Sequence, residues 1–87
     1  MKYTVILKVE ETDPCFALYS RFSEIISEAG QKLLHVECNK RPESDGSFLE
    51  MTMAEPEEKE GVTIRVPLHY VALIGNDWAI QQMGFKK

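Results

Sequence analysis

An α+β fold is predicted by three patterns in the chain. Apolar residues alternate with polar ones in several short runs, which is the period of half-buried strands. One segment near the N-terminus carries helix punctuation at both ends. Between Gly61 and Ile74 an alternating run meets Pro67 and then a short apolar run, so two strands are joined at a sharp corner. Together they predict one helix, at about 14–29, packed on a strongly bent, mainly antiparallel sheet of four to five strands, with a short C-terminal helix or tail.

Residues 2–10 form the first predicted strand, with Tyr3, Val5, Leu7 and Val9 on one face and Thr4, Lys8 and Glu10 on the other. Ile6 breaks the alternation, which implies cover on both faces. Asp13 or Thr12 then supplies an N-cap, and Pro14 suits the first helical position, where its missing donor costs nothing. Leu18, Phe22, Ile25, Ile26 and Ala29 follow as a single helical stripe, and Gly30 is placed as the stop. A strand from Leu33 to Cys38 sets Leu34, Val36 and Cys38 against His35 and Glu37 on the opposite face.

Residues 39–46 hold Pro, Ser, Asp and Gly and are expected to close a hairpin. The strand from Phe48 to Ala54 turns Leu49, Met51 and Met53 one way, Glu50 and Thr52 the other. An acidic loop at 55–60 leads into the run Val62, Ile64, Val66, the Pro67 corner and a last strand at Val71–Ile74. His69 is expected to brace that corner with a hydrogen bond. Asn76 or Asp77 is a cap for a short terminal helix through Met83, and Trp78, Ile80, Met83 and Phe85 give the terminus a large apolar load.

At 87 residues the chain is expected to be one domain, 1–87, with a modest core that gains from a partner. Its 44% hydrophobic and 28% charged content is that of a globular protein. No apolar run approaches the roughly 20 residues of a membrane span, and Val5-Ile6-Leu7 is interrupted by charge too early for a signal peptide. A cytoplasmic location is the resulting expectation, with no membrane partner. Cys15 and Cys38 do not make a disulfide framework and are expected as free thiols in or near the core.

No motif carries recognisable chemistry. His35 and Cys38 are three residues apart on a strand and so point to opposite faces, which argues against a shared metal ion. The glycines are isolated and form no phosphate-binding loop. A Cys–His nucleophile pair drawn from Cys15, Cys38, His35 and His69 has no feature that would lower a thiol pKa, apart from Cys15 lying in the first helical turn. The expectation is therefore a protein that is not an enzyme and takes no cofactor. A net charge of −4 disfavours a general grip on nucleic acid.

Pro56-Glu57-Glu58-Lys59, Gly61-Val62, Val66-Pro67-Leu68-His69 and Val71 resemble the C-terminal part of a family of short, uncharacterised bacterial proteins. Tyr3-x-Val5 and Leu18-Tyr19-Ser20-Arg21 are similar to its early positions, whereas the capped helix from Pro14 departs from it. The resemblance implies a small α+β fold and carries no activity.

Function is thus expected in protein–protein contact, with self-association included. The candidate partner-binding residues are Trp78, Met83 and Phe85 of the tail, since aromatic residues dominate interface hot spots, and Glu55, Glu57, Glu58 and Glu60 of the acidic loop. One alternative is an acidic phage- or plasmid-type inhibitor of a nucleic-acid-binding enzyme. A lesser one is an Sm-like or SH3-like nucleic-acid-binding module, using Phe48 or Tyr70 near Lys40, Arg41 and Arg65.

Overall fold

The computed structural model describes residues 2–55 and 57–76. The elements are β1 (Tyr3–Leu7), α1 (Pro14–Ser20), β2 (Glu24–Glu28), β3 (Gln31–Cys38), β4 (Glu43–Ser44), β5 (Phe48–Thr52), β6 (Thr63–Pro67) and β7 (Val71–Asn76). Short 3-10 turns occupy Glu57–Lys59 and Leu68–Tyr70. The class is α+β, as the patterns predict. The strands form two antiparallel sheets rather than one: a four-stranded sheet in the order β2-β3-β1-β7 and a three-stranded sheet in the order β4-β5-β6.

β3 joins them. Gln31 to His35 of β3 pairs with β2, but its far end turns to the second sheet through a bridge between Cys38 and Met53. The N–H of Ala54 bonds to the Glu37 carbonyl at 2.9 Å, and that of Asn39 to the Thr52 carbonyl at 3.1 Å. The two sheets fold over one core built from the inward positions that the alternation marks. Val5, Leu7, Val9, Leu34, Val36, Cys38, Leu49, Met51, Met53 and Val66 are buried together. Each large apolar side chain there contributes about 1.5–3 kcal/mol by leaving water. Cys15, Phe16 and Tyr19 of α1, with Phe22 after it, cover one side.

The helix is shorter than the stripe predicts. Asp13 caps it as expected, accepting the Cys15 N–H on Oδ1 at 2.9 Å, and Pro14 opens it. It ends at Ser20 instead of 29. The Ser23 hydroxyl donates to the Tyr19 carbonyl at 2.7 Å, so a side chain takes an acceptor the next helical turn would use. Glu24 to Glu28, with the β-branched pair Ile25-Ile26, then pairs with β3 from Glu24↔His35 to Glu28↔Gln31. Ala29 (φ 52°) and Gly30 (φ 78°) close this hairpin in the left-handed geometry that a two-residue turn requires, so Gly30 is a turn residue and not a helix stop.

Two further expectations change. The polar run 39–46 contains the short strand β4. At the Pro67 corner the bracing side chain is Tyr70, whose Oη donates to Asp13 Oδ2 at 2.7 Å, while His69 is exposed and lies against the Tyr70 ring. The predicted terminal helix and its apolar residues Trp78, Ile80, Met83 and Phe85 lie outside the described residues.

Candidate functional site: an acidic cleft at the seam of the two sheets

The reverse face of the first sheet is polar and yet buried. β1 and β3 pair Thr4 with Glu37 and Ile6 with His35, and all of these residues are buried. Thr4 Oγ1 donates to Glu37 Oε1 at 3.0 Å, and His35 Nε2 stands 3.9 Å from the same oxygen. A buried carboxylate needs a donor such as the Thr4 hydroxyl.

β2 reaches along β3 only as far as His35, and the chain after β5 takes over from Glu37 onward. Between them, at the seam, lies a cleft of about 330 Å³. Arg21, Phe22, Ser23 and Glu24 form one wall, His35 and Glu37 the floor, and Glu55 the other wall. Glu24, Glu37 and Glu55 face Arg21, and Glu55 is already paired with Lys2, so the cleft is mildly acidic. The Ser23 hydroxyl is bonded to the Tyr19 carbonyl and is not placed as a nucleophile. Among the described residues no three His, Cys, Asp or Glu side chains are grouped to hold a metal ion.

The acidic loop is pinned beside the cleft. Lys2 Nζ pairs with Glu55 Oε1 at 3.3 Å. Lys59 Nζ sits 5.2 Å from the centroid of the Phe22 ring, which itself lines the cleft. Backbone bonds from Glu60 to Glu57, Val62 to Lys59 and Gly61 to Met53 fix the turn at 2.9–3.1 Å. Glu55 is exposed on the cleft wall, and Glu57, Glu58 and Glu60 are exposed on the turn that Lys59 ties to Phe22. Of the residues singled out from sequence, these come together, while Trp78, Met83 and Phe85 lie outside the described residues. Sequence reasoning missed Arg21, Phe22 and Glu24 as wall residues because it placed them on a helix. The signal for Glu37 was Ile6, whose break in the alternation already implied a reverse face under cover.

A second cluster is structural. Asp13 is held below the ordinary aspartate range, first by the Cys15 backbone N–H and then by the Tyr70 hydroxyl. That bond to Asp13 in turn raises Tyr70, and burial raises Tyr19, whose ring meets Tyr70 edge-on at 5.8 Å. The set clasps α1 to the Pro67 corner. Cys38, in the core, has its thiol pushed up to about 12 by burial and then by the charge of Glu37, so it is inert as a nucleophile at neutral pH.

On the second sheet Phe48 is exposed with the Arg65 guanidinium 5.5 Å from its ring centroid. Arg65 is also paired with Asp45 and lies across from Glu50, which itself opposes Glu43. Arg65 on this face is thus set among the carboxylates of Asp45, Glu50 and Glu43.

No protein-family model, no curated protein and no solved structure matches the chain, so the geometry carries the functional reading.

Proposed function

We propose that this protein works without catalysis, as a small interaction or regulatory module that offers an acidic surface to a basic protein partner. The observation that carries this reading is the pinned acidic loop. Glu57, Glu58 and Glu60 are exposed on a turn whose backbone and Lys59 are anchored, beside a cleft lined by Glu24, Glu37 and Glu55. Rigid presentation lowers the ordering cost of binding, and complementary charge speeds and selects the encounter. Self-association is part of the proposal, and Ile74 on the edge strand β7, 44% exposed, is a contact it could use. No helix among the described residues is long and apolar enough to cross a membrane; a cytoplasmic setting belongs to the proposal.

An inhibitor of a basic nucleic-acid-binding enzyme is the special case in which the partner's own phosphate-binding surface meets this loop. Direct nucleic-acid binding has weaker support, because the Phe48–Arg65 face is countered by Asp45, Glu43 and Glu50.

The test is capture of partners from the native cell by the tagged chain and by a Glu57→Lys/Glu58→Lys/Glu60→Lys variant. The expected result is a basic protein held by the wild type, lost by the variant, and released as salt shortens the Debye length from about 10 Å to about 3 Å. Identical captures by both forms would sink the reading.

A further inference from the structure

The geometry points to β2 as a docking edge for an extended basic segment of another protein, which adds as a strand and sends one Lys or Arg side chain into the acidic cleft. This rests on the acidic-surface reading and specifies the chemistry of the partner.

Among the described residues the sheets end in the edge strands β2 and β7, β4 and β6. Unpaired edges are normally guarded by brevity, proline, lysine or a bulge. β4 has only 2 residues, and β6 ends on Pro67 and carries Arg65. β7 pairs with β1 across a register shift at Ile6/Leu7. β2 has no proline, lysine or bulge, and the charges it does carry, Glu24 and Glu28, are both acidic. Its 5 residues run in unbroken register with β3 from Glu24↔His35 to Glu28↔Gln31. Ile25, the second residue of the edge, is 47% exposed, although it lies opposite the fully buried Leu34.

Charge selects the occupant. Glu24 shares its face of the sheet with His35 and lines the cleft with Glu37 and Glu55. Glu57, Glu58 and Glu60 are exposed on the turn whose Lys59 lies over Phe22 of the cleft wall. A strand laid against β2 would alternate its side chains between the Glu24 face and the Ile25 face. The matching segment is therefore basic at every second position and apolar between. A basic side chain level with Glu24 would reach the carboxylates while its alkyl stem runs along Phe22. Main-chain hydrogen bonds supply affinity in this mode, and the alternate side chains supply specificity. A second copy of this chain is the poorer occupant, because its own β2 brings Glu24 and its acidic loop to the same edge, where like charges repel.

The probe is a fluorescein-labelled peptide of alternating lysine and valine, titrated by anisotropy into the full chain at low salt. A control peptide of the same sequence carries N-methyl groups on the backbone amides of one edge. The parent peptide is expected to bind about tenfold or more tightly than the N-methylated one, since several main-chain hydrogen bonds are lost. Glu24→Gln is expected to weaken the parent several-fold, and amide exchange of residues 24–28 is expected to slow on binding while that of 63–67 stays unchanged. The N-methyl comparison uses the unaltered protein, so it holds even if a variant misfolds. Equal binding of both peptides with unchanged exchange in β2 would overturn strand addition and leave the acidic surface standing. Absence of binding by either peptide would also overturn it, with the cell capture deciding the broader reading separately. Light scattering that shows a dimer, with β2 amides protected in the absence of peptide, would assign the edge to a second copy and overturn it too.

Discussion

The two sheets are built from the same kinds of strand but stand in different surroundings. In the first, Thr4 to Leu7 of β1 and Leu34 to Cys38 of β3 are buried without interruption, so both faces are covered. In the second, β5 alternates between the buried Leu49 and Met51 and the half-buried Glu50 and Thr52, so one face meets solvent. The same side-chain chemistry therefore has different consequences in each. A carboxylate on the second sheet's outer face is a solvated charge, whereas the buried Glu37 on the first sheet's reverse face accepts the Thr4 hydroxyl. The candidate site lies where the covered sheet passes into the open one.

The largest expected effect tests the shared core. Leu34→Ala should cost about 2–5 kcal/mol in urea unfolding, because Leu34 is fully buried where both sheets meet. Thr63→Ala on the open face should stay within about 0.5 kcal/mol. Comparable losses for the two would erase the contrast.

Next comes the reverse face. Thr4→Val keeps the shape and removes the donor to Glu37, at an expected cost of about 1–3 kcal/mol. The matching Thr63→Val change removes a hydroxyl pair with Thr52, 3.2 Å apart and exposed, and should be nearly silent. A silent Thr4→Val would mean that the covered face tolerates its carboxylate without that bond.

The smallest effect is in acid. The folded-state values of Asp13 and Asp45 are both depressed below the ordinary 3.8. For Asp13 the leading cause is the Cys15 N–H, and for Asp45 the Phe48 N–H followed by that of Ser47. Each stabilises the fold above the unfolded-state value and loses that contribution as pH falls through the depressed folded value. Asp13→Asn should therefore lower the thermal midpoint slightly near neutrality and leave it unchanged at the bottom of the acid transition. Asp45→Asn should act in the same direction on the open sheet, with the pH dependence of the midpoint distinguishing the two.

Much of the frame was legible in the residues. Alternation alone placed Val5, Leu7, Leu34, Val36, Cys38, Leu49, Met51 and Met53 inward, and the Asp13-Pro14 pair marked the helix start. Side-chain period and cap chemistry are local properties, so a single sequence contains them. The acidic loop was legible as composition, though not its anchoring by Lys2 on Glu55 and Lys59 on Phe22, which joins residues far apart in the chain.

Tertiary structure alone decided residues 24–28. Phe22, Ile25, Ile26 and Ala29 satisfy a helical stripe, and the only local signal for a strand is the β-branched pair Ile25-Ile26. The choice fell to the hydrogen bonds offered by β3, which bring Glu24 beside His35 and so create both the cleft wall and the open edge. The same holds for Tyr70, whose partner Asp13 lies 57 residues away. Local pattern determined which side chains face the core, and non-local pairing determined where the polar ones meet.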